Sequence, residues 1–206
     1  MTQDLLLALT AFAFVSSITP GPNNLMLMAS GTNFGFVRTL PHMLGVGLGF
    51  TGMNFLLGLG VVQILNAIPG SILALKIGST IYLLYLAWKI ANAAPPAGAD
   101  ADAPKGEPLT FLQAVLFQWV NPKAWTMALT AIGAYTLPEN PLVSLLIVTG
   151  VFGAINLPCV SSWTVLGTQL RRLLNDPVRL RIFNVTAAAL LVASLYPILT
   201  STIGPH

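Results

Sequence analysis

The sequence predicts an all-α membrane protein: six transmembrane helices in two inverted three-helix repeats, with helix one broken at Pro20 and Pro22 and helix four at Pro122. Three observations carry this. Of the 206 residues 55% are hydrophobic and only 7% charged, with a mean hydropathy of +0.79. A soluble domain carries about 25% charged residues, so this chain cannot coat a water-facing surface. The charges are also clustered, leaving 33 uncharged residues between Asp4 and Arg38, 37 between Arg38 and Lys76, and 31 between Glu139 and Arg171. Each stretch exceeds the ~18–20 residues that a helix needs to cross hydrocarbon. Finally, a Pro/Ala/Asp-rich connector separates two sets of three apolar spans, and an odd number per half makes the second half insert upside down.

The spans are expected at residues 5–30, 40–65, 71–91, 109–135, 142–167 and 182–203. The first has no basic segment before it and is too long for a signal peptide, so it reads as a helix of the mature protein. Spans two and three are joined by Asn66, Ala67, Ile68, Pro69 and Gly70, and spans four and five by Leu137, Pro138, Glu139, Asn140 and Pro141. Proline and glycine there remove donors and permit bends, so both connections are short hairpins. Residues 93–108 have no apolar face to bury and are expected to be a mobile linker between a first repeat at 1–92 and a second at 109–206, all within one transporter domain.

The net charge of +3 and isoelectric point near 9.3 reflect nine basic against six acidic residues, the basic ones other than Lys123 lying at the ends of apolar segments. They read as topology signals, with no nucleic-acid partner. Arg38, Lys89, Lys105, Arg171, Arg172, Arg179 and Arg181 lie on one side and only Lys76 on the other, which predicts cytoplasmic basic loops and both termini outside. Trp88, Lys89 and Tyr135 suit interfacial anchors in a lipid bilayer. Cys159 is the one cysteine, so internal disulfides and clustered-thiol metal sites are excluded.

A common register links the halves: Pro20 and Pro122, Asn54 and Asn156, and Gly31 and Gly133 are each 102 positions apart. The broken first span then pairs with the broken fourth. Inverted halves with proline-interrupted segments in matching places point to a secondary transporter with its site near the midplane.

Two constellations carry the chemistry. In Thr19-Pro20-Gly21-Pro22-Asn23-Asn24, two prolines flanking a glycine remove two backbone donors and free several carbonyls. Such groups are tolerated at membrane depth only inside protein or against a wet cavity. Asn23 and Asn24 start the next half-helix, whose amides and dipole favour an anionic group such as a substrate carboxylate. A simple structural kink is the plainer alternative. The second constellation is Gln118-Trp119-Val120-Asn121-Pro122-Lys123-Ala124-Trp125, where Lys123 has 15 uncharged residues on each side, between Glu107 and Glu139. A cation at the bilayer centre costs at least about 2.5–3.5 kcal/mol on insertion scales and is a functional residue by default. No carboxylate lies at membrane depth, so its partners are freed carbonyls, asparagines, water or an anionic substrate group. A shallow re-entrant span with Lys123 snorkelling to the surface is the competing picture.

Asn54 and Asn156 suit either a hydrogen bond across the pseudo-two-fold or helix-packing contacts. Gly45, Gly47, Gly49 and Gly52 suit close helix packing or a homodimer face; no strand precedes them, so they are not a nucleotide-binding loop. His42 has no second ligand nearby, which argues against a metal site. Trp119 and Trp125 suit cavity walls or gates as well as lipid-facing bulk. The expected substrate-binding set is Pro20, Gly21, Pro22, Asn23, Asn24, Asn54, Gln118, Asn121, Pro122, Lys123, Trp125 and Asn156, with no cofactor and no catalytic residue.

The two constellations, the glycine-rich second span and Tyr85-Leu86-Ala87-Trp88-Lys89 at the end of span three together resemble the LysE/RhtB superfamily of bacterial amino acid exporters, over essentially the whole chain. The resemblance implies efflux of amino acids or close derivatives across the inner membrane, driven by an ion gradient. Within the superfamily the chain is similar to RhtB-like exporters of neutral amino acids, including the cysteine and O-acetylserine type. The residues fit this: Lys123 and the half-helix at Asn23 offer a positive field to a carboxylate, and the broken helix ends offer carbonyls to an ammonium. Nothing at membrane depth offers a fixed negative charge, which favours neutral over basic amino acids and leaves Lys123 as the titratable candidate if a proton is exchanged.

Other classes fit less well. A heavy-metal exporter needs thiolates or carboxylates along the path, and only Cys159 is there. An intramembrane enzyme needs a nucleophile with a base, and Ser161 and Ser162 have no His, Asp or Glu at their depth. A passive channel or a non-transporting membrane partner is separated from a carrier by counterflow.

Overall fold

The structure is a computed structural model and describes residues 1–93, 107–174 and 176–196. All regular structure among them is helical: α1 (Gln3–Ile18), α2 (Pro22–Phe34), α3 (Phe36–Leu56), a π-turn (Leu57–Val61), α4 (Val62–Ala67), α5 (Ser71–Ala91), α6 (Phe111–Val120), α7 (Pro122–Tyr135), α8 (Pro141–Leu173) and α9 (Pro177–Ala193). The linker expected at 93–108 lies mostly outside the described residues, as does the end of the span expected at 182–203.

Local chemistry explains the helix starts. The Thr2 hydroxyl accepts from the Leu5 amide at the head of α1. Thr110 and Gln113 form a reciprocal capping box on α6, and the Asp176 carboxylate caps α9 just before Pro177. Each satisfies amide donors that have no partner in the first helical turn.

Three helical stretches are long and apolar enough to cross a membrane: Phe36–Ala67, Leu73–Ala91 and Pro141–Leu173. The pair α1/α2, bent by 51° at its break, adds a fourth by length and composition, and α6 is a shorter apolar helix. Large apolar side chains such as Leu7, Leu48, Leu73 and Leu146 are more than half exposed. Such a surface is stable in lipid, where helix association rests on close packing and polar contacts.

Several boundaries differ from the sequence expectation, among them the first span, which runs to Phe34 rather than 30, and the last, which begins at Pro177 rather than 182. Gly35, at φ 83°, turns the chain from α2 into α3 in one residue, so the second span starts at Phe36 rather than at 40. The stretch continues to Ala67 across a kink at Gly60, whose φ of 106° admits a residue without a side chain. The fifth span extends to Leu173 because Arg171 and Arg172 continue the helix past its apolar part, where basic side chains suit the C-terminal dipole.

The core falls into three clusters. One, around Phe50, Phe152, Met127 and Leu9, joins α1, α3, α7 and α8. A second, around Phe117, Leu83, Leu86 and Leu191, joins α5, α6 and α9. The third, around Leu27, Met43, Val46 and Val160, joins α2, α3, α6 and α8. Helices α2 and α8 approach to backbone contact: a methyl group on Gly31 would overlap the Thr164 carbonyl, and one on Gly167 the Met28 carbonyl. The Thr32 hydroxyl donates across this crossing to the Gly167 carbonyl at 3.0 Å.

Candidate functional site

The end of α1 can be followed carbonyl by carbonyl. The Val15 carbonyl accepts from the Thr19 amide at 3.2 Å and the Ser16 carbonyl from the Thr19 hydroxyl at 3.1 Å. Asn24 Nδ2 donates to the Ser17 and Thr19 carbonyls at 2.9 and 2.7 Å. The Ile18 carbonyl accepts from the Trp163 indole of α8 at 3.0 Å. A helix end without partners at this depth would be costly, and here side chains from α2 and α8 supply them.

The second break is narrower. Asn121 lies between α6 and Pro122, and its side-chain oxygen accepts from the Lys123 amide at 3.1 Å, capping α7. The Trp125 indole donates back to the Trp119 carbonyl at 2.8 Å, with the two rings edge-on at 6.2 Å.

The two breaks meet at Lys123. Its ammonium donates to the Thr19 carbonyl at 2.6 Å, the Thr19 hydroxyl at 2.9 Å and the Pro20 carbonyl at 3.3 Å. All three acceptors are neutral oxygens of the first break. Gly21 is extended, a conformation any residue adopts, so its reason is space: a Cβ there would stand 2.5 Å from Lys123 Cδ. A second bridge flanks the first, where Asn23 and Gln118 exchange side-chain amide bonds at 2.8 and 3.2 Å. Gln118 is fully buried and also donates to the Ala114 carbonyl.

A cavity of about 20 Å³ lies between these elements. A cavity needs about 10–15 Å³ to admit a water, so this one has room for a water and none for an amino acid. Of the expected residues, Gly21, Asn23, Asn24, Asn121, Lys123 and Asn156 line it. Gln118 stands behind Asn23, while Pro20, Pro22 and Pro122 shape the breaks. Trp125 packs on Trp119 off the wall. Asn54 is buried on α3 with neither side-chain atom partnered, and it is not on the wall either.

Sequence reasoning missed Ser16, Ser17, Phe50 and Met127, which also line the cavity. Ser17 binds Asn156 Nδ2 at 3.1 Å, and Asn156 Oδ1 is buried with no partner. The cavity therefore offers one ammonium from Lys123, carbonyls and a hydroxyl from the first break, and an open acceptor on Asn156. Among the described residues no three of His, Cys, Asp and Glu stand together as metal ligands.

Comparison with known proteins places the chain among transport proteins. The sequence model of the family described as "LysE type translocator" matches residues 14–194. The chain is similar to the "Cysteine/O-acetylserine efflux protein" of Escherichia coli strain K12, at 30% identity over 200 residues, covering 93% of this chain and 96% of that relative. The proteins of the same name from Shigella sonnei strain Ss046 and Escherichia coli O9:H4 strain HS give the same identity and coverage. No solved structure matches.

Proposed function

The chain belongs to the LysE type translocator family, and from that premise we propose that it exports neutral amino acids or close derivatives from the cytoplasm as a secondary-active carrier of the inner membrane rather than as an enzyme. The observation that carries the reading is the Lys123 ammonium seated on the carbonyls of the opposite break. That cradle of neutral oxygens is suited to a primary ammonium, and a substrate ammonium competes for it. When substrate enters, Lys123 leaves the Thr19 and Pro20 carbonyls and pairs with the substrate carboxylate, while the substrate ammonium takes the carbonyls and Asn156 Oδ1. The exchange conserves charge at the site, because a zwitterion brings none. A basic side chain would add a cation that no acidic group at this site offsets, at several kcal/mol.

Alternating access between two inverted three-helix halves supplies the movement. Two pairs of helix ends support the repeat: α1 ends at Ile18 and α6 at Val120, and α5 ends at Ala91 and α9 at Ala193, each pair 102 positions apart. This is the register that joins Pro20 to Pro122. In this reading the basic loops are cytoplasmic, the termini are outside, and an ion gradient drives export, with Lys123 as the titratable group if the ion is a proton. The small size of the cavity, too narrow for an amino acid to pass, favours a carrier over a continuous pore.

The test is release from liposomes preloaded with labelled neutral, basic and acidic amino acids, with and without a pH gradient. Gradient-dependent release and counterflow of a neutral amino acid, both lost in correctly inserted Lys123→Ala, is the expected result. Release that ignores trans substrate would make the protein a channel, and no release of any amino acid would overturn the reading.

A further inference from the structure

A second, larger cavity lies away from the breaks, between α2, α3, the end of α5 and the segment that precedes α6. Its volume is about 190 Å³, against about 20 Å³ for the central site. That is well above the roughly 10–15 Å³ needed to admit a single water, and leaves room for several waters or a small amino acid. Its body is apolar, with Met26, Leu86 and Leu109 buried in the wall.

Among the described buried, uncharged polar side chains of the wall, Ser30 and Asn33 are satisfied and His42 is not. Ser30 shares a 2.9 Å hydrogen bond with Thr39. Asn33 and Asn184 exchange bonds at 2.9 and 3.2 Å, and Asn33 also donates to the Ala29 carbonyl. His42 is 1% exposed, and neither of its ring nitrogens has a partner. A neutral imidazole presents one donor and one acceptor, and a buried polar group left unmade costs about 1–3 kcal/mol. Lys89 and Glu107 bring one positive and one negative charge to the same cavity. Among the described residues neither is engaged in an ion pair.

We propose that this cavity is a second amino acid site, in which Lys89 holds the carboxylate, Glu107 the ammonium, and His42 a side chain that can both donate and accept a hydrogen bond. The amino acid class rests on the exporter reading; the site itself does not need the central one. Its opposite charges select a zwitterion, and its apolar body selects a small side chain. His42 selects a hydroxyl or comparable polar group over a methyl. The Arg38 and Lys89 ends of α3 and α5 place it on the side of the basic loops, where an exported amino acid first meets the protein.

The probes are radiolabelled L-serine and L-alanine, bound at equilibrium to the full chain in nanodiscs. Saturable L-serine binding that persists in Lys123→Ala and is lost in both His42→Phe and the cavity-filling Ala29→Leu is expected. L-serine should bind this site about tenfold more tightly than L-alanine, as a single buried hydrogen bond implies. A second readout needs no substitution: with ¹⁵N-labelled histidine, the His42 ring signals should shift on adding L-serine and less on adding L-alanine.

Serine binding that disappears in Lys123→Ala, with unshifted His42 signals, would overturn the second site and leave the exporter intact. Binding that depends on His42, without counterflow of any amino acid, would leave the site standing and remove the exporter. No binding and no His42 shift would make the cavity a hydrated gap and sink the proposal.

Discussion

The break between α1 and α2 leaves three residues outside helical structure and carries two prolines; the break between α6 and α7 leaves one residue and carries one proline. The first ends in carbonyls that accept from the Lys123 ammonium, and α2 follows Gly21 without a side-chain cap. The second caps its own new helix with Asn121 and returns its Trp119 carbonyl to Trp125. One break is therefore partnered from other elements, and the other is closed on itself except for Lys123, the group it sends across. Matching positions in two halves of a chain do not impose matching roles. The wider break provides the acceptors and the narrower one the charge, and in the exporter proposed above these are the two unlike ends that an amphoteric substrate meets.

Removing the charge tests this division most severely. Lys123→Ala takes away charge-assisted hydrogen bonds worth about 1.5–3 kcal/mol, so transport should fall by about a hundredfold or more while the protein still inserts. Lys123→Arg keeps the charge but carries a planar fork that does not fit a cradle built for an ammonium; it should restore only part of the rate. Initial efflux rates from liposomes with matched protein content separate the two. If Lys123→Ala transports normally, the narrow break contributes no charge to the mechanism and the comparison fails.

Gly21→Ala acts on the wide break from the other side. The new methyl meets the Lys123 stem, and overpacking of this kind costs about 1–3 kcal/mol. Because the stem is flexible, most of the loss should fall on the placement of the ammonium. Transport should fall about tenfold with little change in thermal stability. A large drop in stability with normal transport by the remaining folded protein would show that Gly21 serves packing alone.

Both breaks are legible in the sequence because prolines interrupt long apolar runs, and Lys123 because 15 uncharged residues separate it from the nearest other charge on either side. Their partners are not. Ser16 and Ser17 resemble any serine in a membrane helix, where the hydroxyl usually binds its own backbone, and Ser16 does so with the Phe12 carbonyl at 2.6 Å. Trp163 reaches the Ile18 carbonyl from 145 positions away, a link set by how α8 rotates against α1. Asn54, on α3, is off the cavity wall although its register partner Asn156, on α8, is on it. The Asn33–Asn184 pair escapes notice because each asparagine is unremarkable until α2 and α9 meet.

The bridge between Asn23 and Gln118 gives a smaller effect. Asn23→Ala leaves Gln118 Oε1 without its 2.8 Å donor in a fully buried side chain, at a cost of about 1–3 kcal/mol. The apparent melting temperature in detergent should drop by several degrees, and Asn23→Gln should recover part of it. Equal stability of wild type and Asn23→Ala would mean that water replaces the amide and that the two halves are not held at this point.

The mildest change should be the most informative about the narrow break. Asn121→Ala removes a helix cap, worth about 1 kcal/mol, and leaves the Lys123 amide unsatisfied at the start of α7. If that break serves only to aim Lys123, the loss should appear as a small drop in thermal stability with transport reduced no more than severalfold, and Asn121→Asp should restore the cap. An aspartate also adds a carboxylate two positions from Lys123, in a region where the natural chain has none. Asn121→Asp should then regain stability yet lose preference for neutral over basic amino acids, because the new charge offsets a cationic side chain. Thermal unfolding and competition between labelled neutral and basic amino acids read the two effects separately. Recovery of both stability and the neutral preference would place Asn121 outside the reach of the substrate.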